Sequence, residues 1–257
     1  MTDSPPKRIG LALGGGVARG LAHIGVLTAL DEAGIQVDLV AGSSAGALAG
    51  ALYSSGLPLK EVVQLAAQLS WFRIARPTWP KSGFISFAPL RQWLVATIGD
   101  LSFEDLRLPF TVAVTDLESG QAVYLSSGKL APAVCASCVI PGFVAAERVN
   151  GLLLGDGTLV DAIPVNILQQ MGATYVIGVD LFRPKLRRAW GPVGFGFNAL
   201  EITFRKAGEG LEKANCLISP ALAGETYLNF GKAKRLINLG RQAAEEKIPE
   251  ILSALGV

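Results

Sequence analysis

The 257-residue chain has a single histidine, His23, and three cysteines, Cys135, Cys138 and Cys216. One imidazole cannot make a histidine-rich metal cluster. Cys135-x-x-Cys138 has no second pair and no nearby histidine to complete a zinc or redox centre, so buried, reduced thiols and no metal are expected. Charge is scarce too: Asp, Glu, Lys and Arg make up 17% of the residues, and the formal net charge is +2. No basic block is long enough to follow a phosphate backbone, which excludes nucleic acid as the main partner. Met1 to Arg8 is polar and proline-bearing and lacks an apolar signal core. With the odd cysteine count, this points to a reduced, cytoplasmic protein. Val37 to Leu57 is apolar, but Asp38 and its many serines and glycines make it small-residue packing in a core and not a membrane span.

Half of the residues are hydrophobic, enough for one domain with a large core over 1–257. Ile9 to Leu13 is an apolar strand that ends in Gly14-Gly15-Gly16-Val17-Ala18-Arg19-Gly20. Leu21 to Ala33 carries apolar residues at helical spacing and stops before Gly34. The strand Val37 to Ala41 and a small-residue helix, Ala47 to Tyr53, follow. Strand alternating with helix implies a parallel sheet with helices on its faces. Helices are expected over 59–69, 89–98, 129–138, 164–171, 199–210 and 230–255, and strands over 109–115, 121–125, 152–154, 175–180 and 216–219. Trp71 to Ser82 reads as irregular. Phe182 to Phe197 reads as a surface loop whose mixed basic and aromatic residues also suit a lid or an anionic lipid interface.

Gly42-Ser43-Ser44-Ala45-Gly46 joins a strand to a helix. In that setting G-x-S-x-G is a nucleophile elbow, although a plain Gly/Ser-rich loop has the same letters. The turn would present the Ser44 hydroxyl beside a helix amino end, where negative charge is stabilised. Such a serine needs a base. His23 precedes it, whereas the histidine of the usual elbow hydrolase comes late in the chain. The alternative is a carboxylate acting directly, and Asp156, set between Gly155 and Gly157, is better placed than Asp116, Asp161 or Asp180. Oxyanion donors would come from the amides of the Gly14 to Gly20 loop, the Ala45 amide and the fixed charge of Arg19. That loop also invites comparison with a dinucleotide fingerprint. Its spacing is G-x-G-x-x-x-G, however, and no acidic residue closes the second strand.

Gly15-Gly16-Val17-Ala18-Arg19-Gly20, Gly42-Ser43-Ser44-Ala45-Gly46 and Asp156-Gly157 resemble the three signatures of the patatin-like phospholipases. Leu21-Ala-His-Ile-Gly25, Thr115-Asp116-Leu117 and Ala136-Ser-Cys-Val-Ile-Pro-Gly142 are similar as well. The likeness runs from Ile9 to Asp180, leaves a helical region over 181–257, and is to compact bacterial members related to the neuropathy target esterase catalytic domain. It implies a three-layer α/β/α sandwich with a mostly parallel central sheet. It also implies lipid acyl hydrolysis by a Ser-Asp dyad, with Ser44 as nucleophile and Asp156 as general base. Gly15, Gly16, Val17, Arg19 and Ala45 would form the oxyanion hole, supported by Gly14, Gly20, Gly42, Gly46 and Gly157. No cofactor is implied. The partner would be a lipid ester of esterase, phospholipase A or lysophospholipase type, met in peripheral contact with the inner membrane surface. The segments 71–87 and 182–197 would wall the acyl groove, and no oligomeric state is implied. Two positions depart from the family: Val17 replaces a glycine, and Thr158 follows Asp-Gly where Ala or Gly is usual. They support an alternative, a catalytically weak lipid-binding or regulatory protein on the same fold.

Overall fold

The computed structural model describes residues 7–182, 191–225 and 227–256. The chain begins with β1 (Ile9–Leu13), α1 (Leu21–Glu32), β2 (Leu39–Ser43), α2 (Ala45–Ser54) and α3 (Leu59–Ala66). Next come α4 (Trp71–Ile74), β3 (Arg76–Pro77), β4 (Ile85–Ser86), α5 (Ala88–Ile98), β5 (Phe110–Asp116), β6 (Ala122–Leu125) and α6 (Leu130–Ser137). It continues through β7 (Arg148–Val149), β8 (Leu152–Asp156), α7 (Val165–Gln170), β9 (Tyr175–Val179) and α8 (Gly191–Lys206), and closes with α9 (Gly210–Lys213), β10 (Cys216–Ile218) and α10 (Ala233–Leu255).

The central strands are apolar on both faces, as a parallel sheet covered by helices requires. Alternate residues serve opposite cores. Leu11, Leu13, Val40, Ile177 and Val179 enter the larger one with α1 and α10, while Ala12, Leu39, Ala41 and Val176 meet Val165 and Leu168 of α7 on the other side. The fold is therefore the three-layer sandwich expected, its sheet ordered β10-β9-β1-β2-β5-β8-β7 with β6 also on β5. Strands β10, β9, β1, β2 and β5 are parallel; β6 and β8 run antiparallel to β5. Helices α1 and α10 approach to backbone contact. A Cβ at Gly25 would collide with the Ile237 carbonyl and one at Gly240 with the Ala22 carbonyl.

The register around β5 positions the site. β6 pairs with Val112 to Thr115 along one edge. β2, paired through Ser43↔Ala113, and β8, starting at Asp156↔Val114, must then share the other edge. They enter it from opposite ends, so their carboxyl ends meet.

Two expectations change. Trp71 to Ser82 is not irregular throughout, because α4 runs into a short hairpin in which Arg76 pairs with Ser86 and Pro77 with Ile85. The last helix-bearing region starts earlier than position 199. α8 begins at Gly191 with Pro192 in its first turn, where a missing amide hydrogen costs nothing, so the second half of the expected Phe182 to Phe197 loop is helical. The basic and aromatic residues Arg183, Lys185, Arg187, Arg188 and Trp190 lie outside the described residues. Among the described residues no helix is long and apolar enough to cross a membrane.

Candidate active site

Ser44 sits between β2 and α2 with φ 53° and ψ −120°. A non-glycine residue in this region stores about 1–3 kcal/mol and persists only where its surroundings dictate it. Here the Ser44 amide donates to Ser137 Oγ at 2.8 Å, and the Ser137 hydroxyl donates to the Ala113 carbonyl at 2.7 Å. Two residues on, a Cβ at Gly46 would strike the Leu13 carbonyl. Only glycine lets α2 start this close to β1.

The Ser44 hydroxyl donates to Asp156 Oδ2 at 2.8 Å, and the two residues are only 5% and 1% exposed. Asp156 is held on every side. Its amide donates to the Val139 carbonyl at 2.7 Å, and its carbonyl accepts from Thr115 Oγ1 at 2.7 Å. Oδ1 accepts the Thr158 amide at 2.9 Å, and the nearby Thr158 hydroxyl favours the charged carboxylate. Thr158 therefore supports the carboxylate. Burial raises the Asp156 pKa from the usual 3.8 to about 6, against the opposing hydrogen bonds from Thr158 and Ser44.

Beside this pair lies the glycine loop. Val17 adopts φ 48°. The backbone thus keeps a glycine-like left-handed turn although the residue is β-branched, at a cost of about 1–2 kcal/mol. Among the described residues, the amides of Gly16, Val17 and Ala45 have no hydrogen-bond acceptor. The Gly14 and Gly15 amides do, donating to the carbonyls of Val179 at 3.1 Å and Ala162 at 3.3 Å. A Cβ at Gly20 would strike the Ala45 side chain, so the loop rests on the start of α2. The glycines flanking the reacting groups pack as tightly. A Cβ on Gly42 would meet the Gly46 carbonyl, and one on Gly157 the Ala113 carbonyl.

Arg19 is placed differently from the sequence expectation. Its guanidinium is buried, donates to the carbonyls of Glu225 at 2.8 Å and Leu181 at 3.3 Å, and stacks 3.7 Å from the Tyr227 ring. The Ala18 amide donates to the Tyr227 carbonyl at 3.0 Å. Arg19 thus fastens Glu225 and Tyr227 onto the glycine loop.

His23 does not stand between serine and carboxylate. It is fully buried, its Nε2 lies 2.7 Å from the Gly14 carbonyl, and desolvation lowers its pKa to about 4. The rival carboxylates are also engaged elsewhere. Asp116 caps a turn through Ser119 and Glu118, Asp161 accepts from the Tyr124 hydroxyl, and Asp180 accepts from the Phe182 amide. All three cysteines are free. Burial pushes the thiols of Cys135 and Cys216 up to about 12 and about 11, and, with the neighbouring Asp156 charge, raises that of Cys138 well above its usual value. Sequence reasoning missed Ser137, whose only signal is its place in Ala136-Ser-Cys-Val139.

A cavity of about 360 Å³ lies beside α6, walled by Phe87, Leu125, Ala136 and Val139 and edged by Arg91, Lys129, Glu147 and Arg148. Ala136 and Val139 directly flank Cys138 and Ser137, whose hydroxyl accepts the Ser44 amide.

Comparison with known proteins finds relatives in sequence and in fold. A family model described as patatin-like phospholipase matches residues 11–168. An uncharacterised NTE family protein of Mycobacterium tuberculosis is 36% identical over 181 residues, which are 69% of this chain and 50% of that protein. The neuropathy target esterase of Drosophila melanogaster is 37% identical over 181 residues, covering 67% of this chain and 13% of its own length. A lysophospholipase of Aspergillus fumigatus is 33% identical, covering 68% and 12%. The chain thus spans half the length of the mycobacterial relative and far less of the other two. In fold it is similar to VipD from Legionella pneumophila, with a TM-score of 0.60 at 13% identity over 96% of this chain and 67% of that one. It is also similar to the type III effector ExoU, with a TM-score of 0.52 at 17% identity over 96% and 53%.

Proposed function

Because the chain belongs to the patatin-like phospholipase family, we propose that it hydrolyses carboxylic esters of lipids through a serine-carboxylate dyad. The observation that carries this reading is the 2.8 Å hydrogen bond from Ser44 to Asp156 on a strained elbow. Ser44 Oγ attacks the ester carbonyl while its proton passes to Asp156 Oδ2. The resulting oxyanion is received by the amides of Gly16, Val17 and Ala45 at the positive end of α2. The tetrahedral intermediate collapses, Asp156 returns the proton to the leaving alcohol, and an acyl group remains on Ser44. Water, deprotonated by Asp156, then attacks the acyl-enzyme; the second tetrahedral intermediate collapses, Asp156 returns that proton to Ser44 Oγ, and the fatty acid is released. A base with a pKa of about 6 is ionised at neutral pH, yet accepts a proton more readily than an ordinary aspartate.

Relatives named lysophospholipase and neuropathy target esterase support a lipid ester as substrate, and the cavity beside α6, part of whose wall is apolar, offers room for an acyl chain. Such esters are held in bilayers, so the reading includes peripheral contact with a membrane. The three free thiols suit a reducing compartment such as the cytoplasm.

A fluorophosphonate probe tests the proposal. Peptide mass spectrometry should find one adduct, on Ser44. An adduct elsewhere would contradict the reading. No adduct, in protein that still binds fatty acid, would assign the chain to lipid binding without turnover.

A further inference from the structure

Three aromatic side chains stand in solvent on one continuous segment. Phe72 of α4 is 99% exposed, Trp79 at the hairpin turn 81%, and Phe84 65%. Large aromatics left this open mark a surface that meets something apolar. Along the segment itself the charge has one sign. Arg73, Arg76 and Lys81 are interleaved with the aromatics, and no Asp or Glu occurs from Val62 to Gly99. Among the described residues none of these three cations is paired with a carboxylate, although Arg73 donates to the Gln68 side chain.

The segment is tied to both halves of the site. The Phe84 amide donates to the Phe143 carbonyl at 2.8 Å, and the Ala145 amide to the Ile85 carbonyl at 2.8 Å. This docks the hairpin on the stretch that follows Val139, whose carbonyl accepts the Asp156 amide. At the other end Trp71 Nε1 donates to the Leu228 carbonyl at 2.8 Å, and Leu228 is itself 56% exposed. The neighbouring Tyr227 carbonyl accepts the Ala18 amide, next to Val17 in the glycine loop.

We propose that Phe72, Trp79 and Phe84, ringed by Arg73, Arg76 and Lys81, dock the protein on an anionic lipid bilayer. Aromatic rings suit the headgroup boundary, and cations suit its negative surface potential. A second copy of the chain suits the segment less well, since joining two copies of it sets Arg73, Arg76 and Lys81 against the same cations. The inference deepens the acyl-hydrolase reading by naming the face through which its substrate arrives, and it rests on that reading for its purpose.

Binding can be measured without hydrolysis. Ser44→Ala protein is sedimented with vesicles of phosphatidylcholine alone, or of phosphatidylcholine mixed with phosphatidylglycerol. The expected result is binding at least about tenfold tighter to the anionic vesicles, weakening as salt is added. Arg76→Gln with Lys81→Gln should weaken it by about thirtyfold, the effect of two interfacial charges. Phe72→Ser with Trp79→Ser should weaken it by about tenfold or more, through lost apolar burial. Because these side chains are exposed, circular dichroism and melting should be unchanged. Equal affinity for both vesicle types, variants that bind like the parent, or a dimer that Phe72→Ser with Trp79→Ser breaks would each overturn the proposal. Vesicle binding that holds while Ser44 takes no probe would leave the docking face standing and remove the acyl-hydrolase reading.

Discussion

Ser44→Ala is expected to lower kcat/KM for a soluble aryl ester by about 10⁴-fold or more, because among the described residues only the Ser44 hydroxyl sits on the elbow at the start of α2 in hydrogen-bond contact with Asp156 Oδ2. The fold should survive. Ser44 holds its place through its amide, which donates to Ser137 Oγ, and alanine keeps that bond. What is lost is the 2.8 Å hydrogen bond to Asp156, leaving a buried carboxylate with one donor fewer. Melting at neutral pH should fall slightly, by the equivalent of about 1–2 kcal/mol. A variant that keeps more than about a tenth of the native rate, with its circular dichroism unchanged, would show that hydrolysis does not pass through this serine.

Asp156→Asn is expected to remove activity and add stability. Without a base the rate should fall by about 10³- to 10⁴-fold. The stability effect follows from protonation. The unfolded chain releases the Asp156 proton near the ordinary 3.8, whereas the folded protein holds it until about pH 6. Below pH 3.8 both states are protonated and no difference arises. Between these values the folded state binds the extra proton, so stability drains away as pH rises; above about 6 the whole cost stands, on the order of 3 kcal/mol. Asparagine carries no charge and can still accept the Thr158 amide. The variant should therefore melt higher than the native protein at pH 7.5, with the difference shrinking toward zero near pH 4. Equal or lower melting at pH 7.5 would mean that Asp156 is not held ionised at a cost.

Much of this arrangement is legible in the sequence because tight turns demand small residues. Gly42 and Gly46 bracket Ser44, and Gly155 and Gly157 bracket Asp156, since neighbouring backbone, or for Gly155 the Leu117 side chain, leaves no room for a Cβ. Contacts between distant parts of the chain are not legible. Leu152 to Leu154 reads as a strand, but nothing in three leucines says that β8 runs antiparallel to β5 and meets β2 head on. Arg19 sits beside the glycine loop in sequence and so reads as an oxyanion donor. Its carbonyl partners lie 162 and 206 residues away, beyond any local pattern. Gly25 and Gly240 look like tolerated helix glycines until α1 and α10 are seen in contact. Ser137 looks like any small buried helix residue until its hydroxyl is seen spanning the Ser44 amide and the Ala113 carbonyl. The hairpin after α4 was hidden by Pro77 and Pro80, which read as breakers, and by strands of two residues each.

The claim on which the account depends is that a carboxylate alone, with no imidazole, takes the proton from the nucleophile. The direct measurement is the pH dependence of kcat/KM for a soluble aryl ester, run on native protein and on His23→Gln side by side. His23 is buried against the Gly14 carbonyl with a pKa of about 4, while Asp156 titrates near 6. Both proteins should rise to the same plateau through one ionisation near pH 6, with rates within about threefold of each other. Loss of activity in folded His23→Gln, or a shifted midpoint, would contradict the account and make the imidazole the base.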